Sequence, residues 1–217
     1  MNYTSLRTQV SNYLNRQDID NDQMDVFIKN AEAEFNRTIR HRKMVRRVTA
    51  TVDSHFTNLP LDWLEAVNVQ LNVDPIKLLR QVSLETADQY RASNGDVTGI
   101  PEFYAIVGDT LELVPRPSSG QTVELTYYYK IPALHSDNLT NWLIEEYPDL
   151  YLYGVIKQAL VFLMDDERLP VVVGLYQSQL QNLADEQDRA RFAGGSLTVR
   201  RRTYGGNSSR TVIYRTN

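Results

Sequence analysis

Hydrophobic residues near the start of the chain recur every three or four positions, which is the spacing of one face of an α-helix. A first helix is predicted after Thr4, which we take as its N-cap, and a second after Asp20. Asp20 and Gln23 resemble a capping box, and the second helix is expected to end near His41. The apolar face of the first helix consists of Leu6, Val10, Tyr13 and Leu14. That of the second consists of Met24, Phe27, Ile28, Ala31, Phe35 and Ile39, and its opposite face of Lys29, Glu32, Asn36 and Arg40.

Between residues 44 and 131 the period changes to two, as in strands with one buried face. Alternation is clear in RRVTATVD, EAVNVQLN and QTVELTYYYKI, and one short helix, around SLETADQYRA, interrupts the strands. Gly108 and Asp109 separate two further strands and predict a two-residue hairpin turn. The alternating residues that share a face of their strand are Val48, Ala50 and Val52, then Val67, Val69 and Leu71, then Val123, Leu125, Tyr127, Tyr129 and Ile131. This segment is predicted to be a mostly antiparallel β unit.

The helical period returns after Pro132. Residues 147–165 are apolar nearly all round, which predicts a helix that is buried on more than one side. A last helix is predicted over residues 169–192, with Val172, Tyr176, Leu180 and Leu183 facing inward. The predicted fold class is α+β. Residues 1–43 and 132–192 form a helical bundle, residues 44–131 are the inserted β unit, and residues 193–217 are an extended C-terminal arm.

The C-terminal arm differs from the rest of the chain in charge. Residues 189–217 contain seven arginines and no acidic residue, whereas the whole chain has a net charge of −4. Residues 1–188 therefore carry −11, which is the chain's −4 less the +7 of its end. Such asymmetry of charge is typical of a segment that extends from the folded part of a protein and binds a partner.

Three interpretations of this arm are open: a disordered tail, an arm that binds nucleic acid, or a strand that pairs with a partner. Its many Thr, Val, Ile and Tyr residues favour a strand, and two Gly-Gly pairs provide hinges. Fully extended, the residues from Gly195 onward reach on the order of 75 Å. The candidate binding residues of the arm are Leu197, Val199, Arg200, Arg201, Arg202, Tyr204, Arg210, Val212, Ile213, Tyr214 and Arg215.

A second basic cluster follows the second helix. It has two interpretations: a solvated helix end that compensates the helix macrodipole, or a patch that contacts an acidic neighbouring subunit. The cluster consists of Arg37, Arg40, Arg42, Lys43, Arg46 and Arg47.

Residues that would support catalysis or metal binding are few. The chain has no cysteine and three histidines, which lie in separate segments without metal-ligand spacing. The acidic runs Glu145–Glu146 and Asp165–Glu167 fall at helix boundaries, where carboxylates serve as caps. The most apolar run, residues 150–164, is interrupted by Lys157 and Gln158 and is too short to span a bilayer. We therefore expect no enzyme activity, no cofactor, no metal and no membrane partner.

The order of several weak motifs resembles the head-to-tail adaptor proteins of short-tailed bacteriophages. The resemblance covers most of residues 1–192, and the tail after Phe192 lies outside its motifs. They are Gly99, Pro101 and Tyr104 in GIPEFY, Pro115 and Pro117 before VELTYYY, and Trp142, Leu143, Tyr147, Pro148, Leu152, Tyr153 and Gly154 at the start of the long helix.

The resemblance implies a structural protein of the virion at the head-tail interface, made and assembled in the host cytoplasm. Such adaptors form a ring, usually of twelve copies, under the portal protein. They extend the DNA channel, touch DNA only as it passes, and dock tail nozzle and fibre proteins. The family has no defining active site. Two alternatives stay open: a nucleic-acid-binding accessory protein that uses Arg200–Arg202, and a cell-wall-degrading enzyme built on the carboxylates.

The resemblance also gives the arm a partner. We expect the arm to lie along the portal, where backbone pairing with a sheet edge supplies affinity and its arginines meet acidic side chains. The alternative is a hairpin that folds back on the chain's own β unit.

Overall fold

The computed structural model of the protein describes residues 1–16, 19–95, 97–118, 120–165 and 167–192. The described part contains both helices and antiparallel-rich sheets, which confirms the α+β class. Its helices are α1 (Tyr3–Leu14), α2 (Asn21–Thr38), α3 (Leu84–Asn94), α4 (Trp142–Glu146), α5 (Pro148–Leu163) and α6 (Leu169–Phe192), with a 3₁₀ turn at Arg42–Met44. Its strands are β1 (Val45–Val52), β2 (Phe56–Asn58), β3 (Trp63–Leu71), β4 (Lys77–Leu78), β5 (Arg80–Gln81), β6 (Thr98–Gly99), β7 (Phe103–Val107), β8 (Thr110–Val114), β9 (Arg116–Pro117) and β10 (Gln121–Tyr129).

Helices from both ends of the chain share one hydrophobic core. α5 packs against α1, α2, α4 and α6, which confirms that it is buried on more than one side. A neighbouring subunit is therefore not needed to cover most of its apolar surface, although Val161, Phe162 and Met164 at its end are exposed. The predicted 147–165 helix is preceded by a separate short helix, α4, which was not predicted. Tyr147 has a non-helical ψ of 59° and Pro148 begins the next helix.

Two predictions for α1 were wrong. The helix is capped by Asn2 and not by Thr4: the Asn2 side chain accepts a hydrogen bond from the Ser5 amide, and the Ser5 hydroxyl pairs with the Asn2 backbone. Tyr13, expected on the apolar face, is 41 % exposed, whereas Leu6, Val10 and Leu14 are buried. The apolar stripe of this short helix is thus one residue narrower than the periodicity suggests. Asp20 is the N-cap of α2, as predicted, but its side chain accepts a hydrogen bond from the Asn21 amide at 2.6 Å, and the predicted capping box with Gln23 is not formed.

The polar face predicted for α2 is partly buried. Glu32 is only 4 % exposed, because residues 131–134 cross over that side of the helix. The Glu32 side chain accepts a hydrogen bond from the Leu134 amide at 2.8 Å, and the Asn36 side chain accepts one from Ile131, also at 2.8 Å. The polar face therefore binds the segment that leads from the β unit back into the bundle.

Gly154 lies where α5 and α2 approach closely. A Cβ atom at Gly154 would lie 2.6 Å from Cζ and 2.9 Å from Cε1 of Phe35. Gly154→Ala is expected to lower the free energy of unfolding by about 1–3 kcal/mol, because the Phe35 ring has to shift within a packed core. Thermal and urea denaturation followed by circular dichroism measure this change.

The matched control is Gly174→Ala in α6, where no atom lies within 4 Å of the added methyl group. It is expected to raise stability by about 0.5–1 kcal/mol, since alanine is the better helix former. Equal effects of the two substitutions would contradict the close approach.

The β unit is built from two four-stranded sheets and one two-stranded sheet. The strand orders are β1-β10-β3-β4, β2-β8-β7-β5 and β6-β9. Only the β5–β7 and β6–β9 pairs among the described residues are parallel, which confirms the mostly antiparallel prediction. The predicted hairpin joins β7 and β8, and Gly108 adopts the positive φ of 59° that its turn requires. A second core lies between the sheets and includes Val69, Leu71, Leu113, Val123 and Tyr127.

The prediction that Val67 shares a face with Val69 and Leu71 was wrong. Thr126 of β10 pairs with Asn68, but the next residue, Tyr127, pairs with Ala66. Val67 is therefore the extra residue of a β-bulge and is 49 % exposed, while Val69 and Leu71 are buried. A strict period of two cannot reveal an inserted residue.

Candidate functional site

The basic cluster lies where the bundle meets the β unit. It starts in the last turn of α2, passes through the 3₁₀ turn and ends in β1. The arm, residues 193–217, with all its candidate binding residues, lies outside the described residues, and so does Asp166. The structure therefore describes only one of the two predicted interaction segments.

Four of the six basic side chains are paired with acidic residues of the same chain. All four pairs are at least partly exposed, so each contributes little to stability but fixes a side-chain direction. The pairs are Arg40–Glu65 at 2.9 Å, Arg47–Glu124 at 3.1 Å, Lys43–Glu146 and Arg46–Asp62. Arg37 and Arg42 are exposed and form no ion pair with the described residues. Within this cluster, the positive charge available to a partner is therefore concentrated on these two arginines.

The side chain of Gln187 in α6 forms hydrogen bonds with the backbone of the basic cluster. Its side-chain oxygen accepts a hydrogen bond from the Arg42 amide at 2.9 Å, and its nitrogen donates to the Arg40 carbonyl at 2.5 Å. One side chain thus satisfies both a donor and an acceptor of the segment that leaves α2. The last third of α6 is held against the beginning of the β unit.

His41 anchors the same segment from the inside. It is 2 % exposed and stacks on Trp142, with ring centroids 5.1 Å apart and an interplanar angle of 15°. Burial, followed by the nearby Arg42 charge, lowers the pKa of His41, so the imidazole is neutral at pH 7. Its Nδ1 accepts a hydrogen bond from the Lys43 amide at 3.3 Å. These contacts give His41 a packing role.

Tyr147 joins the other side of this aromatic group. Its ring contacts His41 and Trp142 edge-on, and its hydroxyl donates a hydrogen bond to Glu186 at 2.8 Å. Burial, together with the Glu186 hydrogen bond, raises the pKa of Tyr147 to about 12. Tyr147 is therefore a neutral donor that ties α6 to the start of α5.

The grooves around this junction are shallow and open. One of 240 Å³ is lined by Arg42, Val45, Tyr128, Gln187 and Ala190. The last turns of α6 thus lie beside the first residue of β1, and the arm begins at the junction of bundle and β unit. Open grooves of this kind suit contact with another protein surface more than enclosure of a small molecule.

The residues considered for chemistry serve structural roles. Glu146 pairs with Lys43, and Asp165 accepts a hydrogen bond from the Arg168 amide at 3.2 Å and from Arg168 Nε at 2.7 Å. The hydrogen bond from the Arg168 side chain lowers the pKa of the partly exposed Asp165 carboxyl. Within the described residues, no three His, Asp or Glu side chains are grouped so as to hold a metal ion. In the same part of the chain, no helix is long and apolar enough to cross a membrane.

Comparison with known protein families supports one of these interpretations. The SU10 adaptor protein family matches residues 1–202, which includes the whole bundle and the whole β unit. The chain belongs to the SU10 adaptor protein family. No curated protein matches the chain.

Membership of the SU10 adaptor family confirms the resemblance to phage head-to-tail adaptors and makes the chain a structural adaptor protein of a bacteriophage. The match extends beyond residues 1–192, the region of the resemblance, and takes in the arm as far as Arg202. The first part of the arm thus belongs to the region shared with the SU10 adaptors.

Periodicity and composition do not reveal the contacts that hold together the junction of the bundle and the β unit. Gln187 lies on the polar side of α6, where one sequence cannot distinguish a solvated glutamine from one that binds backbone. Trp142 and Tyr147 are among the motif residues. Their ring contacts with His41, however, join segments that lie more than a hundred residues apart in the chain.

Proposed function

We propose that this SU10 adaptor forms a ring of twelve copies under the portal protein of the phage head. There it extends the DNA channel and docks the nozzle and fibre proteins of the tail. The family match across residues 1–202 carries this proposal, because it covers every helix and strand that the structure describes. In this setting the protein works in the virion and needs no cofactor.

The charge of the body agrees with a channel that DNA passes without binding. Residues 1–188 carry a net −11, and ion pairs within the chain neutralise most of the basic cluster. Phosphate binding requires a basic face, and the net charge of −11 on residues 1–188 argues against one on the body. An accessory nucleic-acid-binding role would therefore have to rest on the arm alone.

The basic cluster is proposed to contribute to contacts between subunits. Arg37 and Arg42 are the members without an ion pair in the described part of the chain, and both are exposed. A neighbouring acidic body supplies carboxylates for charge-assisted hydrogen bonds with them. The ring proposal gives each subunit such a neighbour.

The arm is proposed to attach the subunit to the portal. It starts at the junction of bundle and β unit, carries the positive charge that the body lacks, and is rich in residues that favour strands. Deleting residues 195–217 is expected to leave the thermal midpoint nearly unchanged and to abolish or strongly weaken binding to purified portal protein. Differential scanning fluorimetry and analytical ultracentrifugation of the mixture measure the two effects.

A second variant replaces Arg200–Arg202 with serine in the full-length chain. It removes positive charge from the arm but leaves the backbone that would pair as a strand, so it distinguishes the two contributions to portal binding. Unchanged portal binding after the deletion would show that the arm is not the tether. Tight, salt-sensitive binding of duplex DNA by the full chain, without binding to portal, would favour the nucleic-acid alternative.

A further inference from the structure

The outward side of α6 has an unusual composition for an exposed helix. Among residues 169–190 only three side chains are buried, so most of the helix faces away from the core. Residues 169–184 nevertheless contain no charged side chain. Two large apolar residues, Val171 and Leu175, are 63 % and 37 % exposed. A helix face that stays in water usually carries charges, whereas the centre of a protein–protein interface is depleted of them.

The exposed residues of α6 form one row along the helix, because successive members are three, four or seven positions apart. The start of this row is apolar, and its end is acidic. Asp185 lies at that end, forms no ion pair with the described residues, and accepts a hydrogen bond from the Gln181 side chain at 2.7 Å. Beside it, Glu186 and Asp188 outnumber Arg189. The α6 row consists of Val171, Gly174, Leu175, Ser178, Asn182 and Asp185.

A second exposed row lies on α2. Its first member, Val26, is 51 % exposed, and its last, Arg37, is exposed without an ion pair to the described residues. The start of this row is therefore apolar and its end is basic. The α2 row consists of Val26, Asn30, Ala33 and Arg37, with Asp22 and Lys29 beside it.

The helices α2 and α6 run in the same direction. The rings of Phe35 and Tyr176 have centroids 6.3 Å apart, and further along both segments Gln187 donates a hydrogen bond to the Arg40 carbonyl. Rotation about an axis along the bundle keeps helix directions unchanged. Copies placed side by side by such a rotation therefore present α2 of one copy parallel to α6 of the next.

Parallel packing of the two rows matches their chemistry at both ends. The apolar start of one row meets the apolar start of the other, and Arg37 meets Asp185 at the opposite end. An antiparallel pair would instead bring Arg37 onto Val171 and leave both charges without a partner. The charge pattern therefore favours a second copy, in parallel orientation, as the occupant of the α6 row.

We propose that the α6 row of one copy packs in parallel against the α2 row of the next copy, with a charge-assisted hydrogen bond between Arg37 and Asp185. Two different surfaces meet in this contact, so it is heterologous, and its repetition around a rotation axis closes a ring. The inference rests on the ring of the proposed function and names the two surfaces that join its subunits. It also supplies the carboxylate for Arg37 that the described part of its own chain does not.

Cross-linking of two single-cysteine variants tests the contact, because the natural sequence has no cysteine. Full-length Ala33→Cys and Leu175→Cys are prepared separately and mixed, alone and with purified portal protein, before a short bismaleimide is added. The expected product joins one chain of each variant, and neither variant alone should give a comparable product. The matched control replaces Leu175→Cys with Gln89→Cys, at an exposed position of α3, and should give no product with Ala33→Cys.

Charge reversal tests the orientation of the two rows. Arg37→Glu and Asp185→Arg should each weaken association between full-length copies about tenfold or more, because each places like charges together. The double variant should restore association, since it exchanges the two charges. Arg116→Glu makes the same charge change at an exposed residue of β9 and should have no effect. Sedimentation velocity over a concentration series, with and without portal, measures association, and circular dichroism checks that each variant is folded.

The outcomes separate this contact from the proposed ring. Rings on portal in electron micrographs, without the mixed cross-link, would overturn the contact and leave the ring standing. Cross-linking of either variant to itself, or failure of the double charge reversal to restore association, would also overturn the contact. The mixed cross-link in open chains that never close on portal would support the contact and reject the ring. Absence of both rings and mixed product would reject both.

Discussion

Replacing Arg91 with methionine is expected to lower the free energy of unfolding by about 3 kcal/mol, because it leaves a buried carboxylate without its counter-charge. Glu112 lies in the middle of β8 and is fully buried between the neighbouring strands and α3. Arg91 reaches it from α3, with Nη2 3.1 Å from Oε1. No hydrogen bond from the described residues reaches either Glu112 oxygen, so this ion pair bears most of the compensation. Urea denaturation at pH 7 measures the loss.

Two further variants test the cause of this loss. Asp88→Ala removes the exposed partner of Arg91 and is expected to change stability by less than about 0.5 kcal/mol. The double variant Arg91→Met with Glu112→Met removes both charges and should recover most of the lost stability. A double variant as unstable as Arg91→Met would show that the packing of the arginine stem, and not the orphaned charge, is responsible.

Replacing Glu32 with alanine is expected to cost a similar amount, about 3 kcal/mol, because two buried donors lose their acceptor. Glu32 Oε1 accepts hydrogen bonds from the Leu134 amide and from the Tyr151 hydroxyl. Asn141 donates to the Tyr151 oxygen at 3.3 Å and to the Pro132 carbonyl at 2.8 Å. The network joins α2, the 131–141 segment and α5. Glu32→Gln keeps the acceptor oxygen and is expected to cost much less.

Glu32 should also give stability a dependence on pH. Burial raises the pKa of Glu32 above its ordinary value of 4.5, against the smaller opposing effects of the Tyr151 and Leu134 hydrogen bonds. The folded state then binds a proton more tightly than the unfolded state does. This contribution to stability is complete below pH 4.5 and is lost as the pH rises through the raised pKa.

Glu32→Gln should remove that component, so its stability relative to the natural chain improves from acidic to neutral pH. Glu145→Gln, at an exposed carboxyl, serves as the control and should leave the relative stability constant. Urea titrations at a series of pH values provide the comparison, and parallel curves for Glu32→Gln and the natural chain would contradict the raised pKa.

Periodicity was a reliable guide to the elements whose burial is continuous. The apolar stripe of α2, the fully apolar α5 and the Gly108 hairpin were all predictable, because each pattern follows from local geometry. The errors lie where a distant segment, an inserted residue, a helix cap or a proline departs from the periodic pattern. Val67 is displaced by a bulge, and the break between α4 and α5 occurs at a Tyr-Pro step that continues the apolar pattern.

The two buried carboxylates show more clearly what local sequence patterns cannot predict. Glu32 was assigned to the polar face of α2, and Glu112 was one of many glutamates in alternating strands. Nothing in their neighbouring residues distinguishes them, because Glu32 is covered by residues about a hundred positions later and Glu112 by a helix that precedes it. At the junction, the charge pattern of the sequence predicted the basic cluster. It did not predict that Gln187 would bind the backbone of this cluster.

A bundle made from both ends of the chain has a consequence for the order of events during translation. The helices α1 and α2 pack on α5, yet about a hundred residues must be synthesised between them, which takes about 5–20 s at ordinary elongation rates. The strands β1 to β10 are contiguous in the chain and can assemble on the ribosome during that interval. Until α5 emerges, the apolar stripe of α2 stays open to chaperones and to the same stripe on neighbouring nascent chains. The time needed to synthesise the last seventy residues, which begin with α5, should therefore limit the yield of correctly folded bundles in an infected cell.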